Sequence, residues 1–165
     1  VSDAAPGRTI SSRSVDDTVA AAVLLGRVVS KPLTIGLVGG LGAGKTQFVR
    51  GFVNGVDLAL DRWVSSPTYA ICHEIPHDPP ILHYDLYRLE GADDLESVGF
   101  WESSPAIRIV EWPDRIPSVA DALDLEIAIA ITSPDTREIR MTSRTAAGEA
   151  VLAAWMDAIA AQSLV

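Results

Sequence analysis

Gly39-Gly40-Leu41-Gly42-Ala43-Gly44-Lys45-Thr46 fits the pattern G-x-x-x-x-G-K-[S/T], the phosphate-binding loop of P-loop nucleotide hydrolases and kinases. The chemistry asks for these residue types. The glycines let the backbone turn sharply and bring its N–H groups close to an anion. Lys45 then reaches the β- and γ-phosphates, and the Thr46 hydroxyl can ligate Mg²⁺. The context agrees. Leu33–Val38 reads as a buried strand, and residues 47–53 begin a helix whose N-terminus adds its dipole to the anion site. The bland alternative is a Gly-rich strand–helix turn that binds nothing; a strand before and a helix after favour the phosphate loop.

The chain has 165 residues, of which 48% are hydrophobic, enough for one domain (1–165) with a sizeable core. A formal charge of −9 argues against autonomous nucleic-acid binding, which needs a basic surface. An anion site inside an acidic protein is no contradiction, because loop amides and Lys45 act locally. A single cysteine, Cys72, suits a reducing compartment, and its apolar surroundings suit a core role better than a nucleophilic one. No apolar run approaches the ~18–20 residues of a membrane span. Residues 1–10 have neither the basic start nor the apolar middle of a signal peptide. The expectation is a soluble cytoplasmic protein.

Along the chain, residues 1–8 read as a loose tail and 9–12 as a short strand. Ser14 to Asp17 resembles a capping box that opens a helix to about Val29, with Val15, Val19, Ala22, Val23 and Gly26 facing inward. The P-loop helix runs to about Gly55, and residues 56–68 form an ordered loop. Residues 69–75 and 81–84 are strand candidates joined by a turn at His77–Pro80, an antiparallel hairpin. A short helix over 92–98 and a strand over 107–110 follow. Leu125 to Ile131 has the pattern of a strand buried on both faces. Residues 137–143 pair back on it after a turn at 133–136. A last helix, 148–161, buries Val151, Leu152, Trp155, Met156 and Ile159.

A P-loop needs a second acid, normally at the C-terminal end of a neighbouring strand. Asp85 and Glu111 both end apolar runs, and spacing does not choose between them. Either can also be an N-cap or a solvated strand-end acid. If both converge on one phosphate site, one can hold Mg²⁺ and the other position water. The Thr68 hydroxyl can contact the metal shell or the γ-phosphate, although Ser-Pro-Thr taken alone is an ordinary turn. Arg50 and Arg88 are cationic candidates. His73, His77 and His83 lack zinc-site spacing.

Four motifs occur in series: the P-loop, Val64-Ser-Ser-Pro-Thr-Tyr69, His83-Tyr-Asp-Leu-Tyr-Arg-Leu89 and Val110-Glu-Trp-Pro113. In this order and spacing, over roughly residues 10–145, the chain resembles the TsaE (YjeE) family of bacterial tRNA threonylcarbamoyladenosine biosynthesis. The resemblance implies an α/β fold, a P-loop NTPase-like three-layer sandwich with a mixed central sheet. It implies an ATP- and Mg²⁺-dependent ATPase, weak alone, assembled with TsaB- and TsaD-type subunits. Its hydrolysis would reset that complex between cycles of threonylcarbamoyl transfer to adenosine 37 of ANN-decoding tRNAs. By the same resemblance Gly39 to Thr46 hold the phosphates, and Thr46 and Glu111 are Mg²⁺ ligands. Asp85 is a catalytic or metal-shell acid, Thr68 is switch-like, and Trp112 sits beside the nucleotide. Residues 14–18 and the turn near Arg137 would flank the adenine. The family usually carries an acidic residue after the first loop glycine, where this chain has Gly40; binding through backbone amides should survive that change. The acidic surface fits a protein that meets tRNA mainly through its partners.

Rival readings remain. A small-molecule P-loop kinase would need an Arg-rich lid, and none is evident. A GTPase would need an Asn-Lys-x-Asp motif, whereas Asn54 is the only asparagine and is followed by glycine. A nucleotide-gated binding module differs from the ATPase only in turnover. The aromatic residues around Tyr69, Tyr87 and Trp101 read equally as core or docking surface.

Overall fold

The computed structural model describes residues 7–65, 70–102 and 105–162. Its framework is a seven-stranded mixed sheet: β1 (Arg8–Ser12), β2 (Leu33–Val38), β3 (Cys72–Ile75), β4 (Ile81–Asp85), β5 (Ile107–Glu111), β6 (Leu125–Ile131) and β7 (Arg137–Ser143). The spatial order is β1-β7-β6-β2-β5-β4-β3. The P-loop strand β2 lies between β5 and β6, parallel to both, and β4 runs parallel to β5 on its far side. The outer pairings β1–β7, β6–β7 and β3–β4 are antiparallel. Strands covered on both faces read as largely apolar runs; β2 does so apart from Thr34, and β4 is buried along its whole length although it carries His83 and Asp85.

Two cores lie on the two faces. One sits beneath α1 (Val15–Val28), α2 (Lys45–Val56) and α5 (Ala146–Ala161), and includes Ala22, Leu25, Phe48, Phe52, Ile109 and Trp155. The Trp155 indole donates to the Ala21 carbonyl at 2.8 Å, so its one polar atom is satisfied in the core. The other core gathers Leu82, Tyr84, Leu95, Phe100, Val110 and Val119 under the short helices α3 (Ala92–Ser97) and α4 (Pro117–Asp121). The result is the expected three-layer α/β sandwich. Among the described residues no helix is long and apolar enough to cross a membrane.

Several expectations need correction. Arg8, expected in the loose tail, is the first residue of β1 and pairs with Met141. Ser14 does cap α1, accepting from the Asp17 N–H at 3.0 Å while the Asp17 carboxylate accepts from the Arg13 N–H at 2.8 Å. The buried stripe of α1, however, is Thr18, Ala21, Ala22, Leu24, Leu25 and Gly26, and Val15 is 60% exposed. The helix is rotated because it must meet both α2 and α5. β6 is buried on one face only. Leu125, Ile127 and Ile129 point into the core, while on the other face Glu126 and Ala128 are half-buried and Ala130 is exposed, because the second helical layer ends over β4 and β5; Ile131, on the core-facing side, is exposed at the strand end. Within 56–68, Leu58–Trp63 forms a 3₁₀ helix capped by Asp57. β3 begins only at Cys72, which is half-buried. Thr68 and Tyr69 lie outside the described residues.

Candidate functional site

The site forms where β2, β5 and β4 end side by side. Gly39 follows β2 directly with φ at +156°, and a Cβ there would lie 2.5 Å from the Ile129 carbonyl oxygen, so only glycine fits. At Gly40 an added Cβ would meet nothing within 4 Å, so a side chain there is sterically optional. The chain then wraps into the first turn of α2, where the Phe48 N–H bonds to Gly44 O at 2.9 Å.

Lys45 is only 5% exposed. Its Nζ donates to Gly39 O at 2.7 Å and Gly40 O at 2.9 Å, and lies 3.9 Å from the centroid of the Trp112 ring. Burial pulls its pKa below the ordinary lysine value, opposed by the charges of Glu111, Asp85 and Asp114. An ammonium in this position favours an incoming anion.

Parallel pairing sets the acids. Glu111 ends β5 in register with Leu37 of β2 and Asp85 of β4, so both carboxylates stand at one level beside the loop. The Thr46 hydroxyl donates to Glu111 Oε1 at 3.2 Å. On its other side, that same oxygen lies 2.8 Å from His83 Nε2. Asp85 accepts from the Tyr87 N–H at 3.0 Å, which fixes its carboxylate at the strand end. Trp112 follows with φ at +60°, an uncommon conformation for a bulky residue. Its N–H bonds to Leu37 O at 3.1 Å, and its ring packs 5.0 Å from that of Tyr87. Leu41 to Gln47, Asp85, Tyr87, Glu111 and Trp112 line a cleft of about 420 Å³.

A second, smaller pocket of about 140 Å³ adjoins the loop and brings Ser14, Val15 and Thr18 against Gly42, Gln47 and Arg137. Arg137 Nε donates to Ala43 O at 3.0 Å, and its Nη1 to Ser133 O at 3.1 Å, so the β6–β7 turn is tied to the phosphate loop. The two segments expected to flank a base therefore meet, although they are more than a hundred residues apart in the chain.

Gly39 to Thr46, Asp85, Glu111 and Trp112 thus converge, while Thr68 lies outside the described residues. Arg50 pairs with Asp61 at 3.6 Å, and neither it nor Arg88 is among the described residues lining the cleft. His83, Gln47 and Asp114 carry no role in the sequence-based expectations. For His83 a signal exists: it is a polar residue at a core-facing position of an apolar strand. The donor set also bears on metal choice. Thr46, Glu111 and Asp85 offer hard oxygens to the cleft. That fits Mg²⁺, which takes one or two carboxylates and completes its shell with water and substrate phosphates.

Residues 12–139 match the sequence model of the family described as Threonylcarbamoyl adenosine biosynthesis protein TsaE. Curated relatives that the chain matches carry the name tRNA threonylcarbamoyladenosine biosynthesis protein TsaE, among them those of two bacteria. That of Treponema pallidum is 29% identical over 130 residues, covering 78% of this chain and 95% of that protein. That of Bacillus subtilis is 35% identical over 131 residues, covering 78% and 80%. Among solved structures, the crystal structure of Bacillus subtilis YdiB is similar at a TM-score of 0.71 and 25% identity, covering 92% of this chain and 95% of that one.

Proposed function

The chain belongs to the TsaE family, its residues 12–139 matching the family's sequence model, and from that premise we propose that it binds and slowly hydrolyses ATP with Mg²⁺ in the biosynthesis of tRNA threonylcarbamoyladenosine. Its hydrolysis resets a complex of TsaB- and TsaD-type subunits between cycles of transfer to adenosine 37 of ANN-decoding tRNAs. It acts in the cytoplasm and meets tRNA through those partners, in keeping with its charge of −9. One observation carries the reading: Lys45, the Thr46–Glu111 pair and Asp85 line a single cleft at the end of the P-loop strand.

The chemistry follows from these positions. The N–H groups of the loop and of the first turn of α2 bind phosphate oxygens. Lys45 exchanges its two carbonyl acceptors for the phosphates, a charge-assisted contact stronger than the ones it leaves. Thr46 and Glu111 would hold Mg²⁺. When bound, the ion neutralises charge on the phosphoryl oxygens. Asp85, held by the Tyr87 N–H, positions the attacking water or completes the metal shell. Trp112 and Tyr87 wall the cleft on one side and limit water. Thr68 is assigned the switch-like role.

The test is the ATP hydrolysis rate with Mg²⁺, for the protein alone and with TsaB- and TsaD-type partners. A weak rate that rises with the partners is expected. A rate indifferent to them would leave a P-loop ATPase with another target, and no hydrolysis in the assembled complex would reduce the protein to a nucleotide-gated module.

A further inference from the structure

Strand β4 reads Ile81-Leu82-His83-Tyr84-Asp85, and its third residue is out of character. His83 is fully buried, beside Ile109 in register, and both Ile109 and Ile81 belong to the core beneath α1, α2 and α5. An imidazole taken out of water costs free energy unless its nitrogens are paired. Only one of them is. Nε2 lies 2.8 Å from Glu111 Oε1, while the buried Nδ1 has no hydrogen-bond partner among the described residues. A leucine would fill the space without an unpaired nitrogen, so packing alone does not call for histidine here.

The partner explains the choice. An ionised carboxylate only accepts hydrogen bonds, so Nε2 carries the proton and donates. Glu111 Oε1 is then held from two sides, by an imidazole fixed in the core and by the Thr46 hydroxyl of the phosphate loop. Glu111 itself is 3% exposed, so no water shell competes for its orientation. We infer that His83 is a positioning residue: its Nε2–H fixes the Glu111 carboxylate toward Thr46, so that the two oxygens meet a divalent cation in one preset arrangement. This rests on the reading of Thr46 and Glu111 as the metal ligands. Partners that orient a ligand in this way typically change metal affinity by about 10- to 100-fold.

The experiment uses Mn²⁺ as the probe, titrated by electron paramagnetic resonance into the chain with saturating ADP. His83→Leu is expected to weaken Mn²⁺ binding by about 10- to 100-fold, with ADP affinity in EDTA and the melting midpoint little changed. His83→Gln, whose amide N–H can reach the same oxygen, is expected to recover most of the loss. Unchanged Mn²⁺ affinity in His83→Leu would overturn the inference while leaving the nucleotide-site reading intact. Equal losses in both variants would overturn it too, by reducing His83 to a packing residue. Wild-type chain that binds ADP but no Mn²⁺ would overturn the metal assignment itself, and the inference with it. Should His83→Leu not fold, long-range ¹H–¹⁵N spectra of the wild type decide. A protected Nε2–H tautomer supports the inference, and the Nδ1–H tautomer overturns it.

Discussion

Lys45 stands at the centre of the site as a buried ammonium satisfied by two loop carbonyls and an aromatic face. Its charge has a use only when an anion arrives. Lys45→Ala is expected to weaken ATP binding by about 10- to 100-fold, the range of a lost charged hydrogen bond, as read by calorimetry. Wild-type affinity in that variant would count against the phosphate loop. The two acids are separable by the same method. Glu111→Ala is expected to abolish the gain in ADP affinity that Mg²⁺ brings, because it removes the carboxylate that Thr46 contacts. Asp85→Ala is expected to preserve most of that gain and to lower multiple-turnover hydrolysis in the assembled complex by at least about a hundredfold, the lower end for a positioned acid or base. The reverse pattern would exchange their roles. Away from the site, burial pushes the Cys72 thiol pKa above its ordinary value. Thiolate is the reactive form, so alkylation of the native protein at neutral pH should run slower than that of free cysteine. A rate equal to free cysteine would contradict the half-buried setting.

At the scale of elements, the contact between α1 and α2 is made by backbone. A Cβ on Gly26 would lie 2.0 Å from Phe52 O, one on Gly55 2.0 Å from Val23 O, and one on Gly51 2.6 Å from Val19 O. Three glycines thus let the helix that carries Lys45 and Thr46 lie close against its neighbour. Gly55→Ala must push α1 and α2 apart, and overpacking of this kind costs about 1–3 kcal/mol. Urea unfolding should show that loss, and a stability equal to wild type would mean the helices are not this close. The β6–β7 turn acts on the loop in a different way. Arg137→Ala frees the carbonyls of Gly42 and Ala43. It should weaken nucleotide binding several-fold without altering the Mg²⁺ increment.

At the scale of the molecule, parallel pairing of β2, β5 and β4 brings their C-terminal ends to one edge, where ligands bind in open α/β sheets. A ligand that binds only the folded chain stabilises all of it, by about 2.7 kcal/mol at a hundred times its dissociation constant. ADP with Mg²⁺ should therefore raise the melting midpoint clearly in wild type and little in Lys45→Ala. What is local could be read along the chain. A run of glycines before Lys-Thr, a capping serine three residues before an aspartate, and acids closing apolar runs each announce themselves through neighbouring residues, because their physics acts over a few positions. Order and spacing of four motifs carried the family as well. What no spacing could decide was which acid meets Thr46, since Asp85 and Glu111 end similar strands. Strand order settled the contact by setting β5 directly against β2. The same holds for the inward face of α1, where helical periodicity alone misplaced Val15. It holds too for the outer, only partly covered face of β6, past the reach of the second layer. His83 acquires its meaning only when β4 lies beside β5, because a hydrogen bond across 28 residues exists in space and not along the chain.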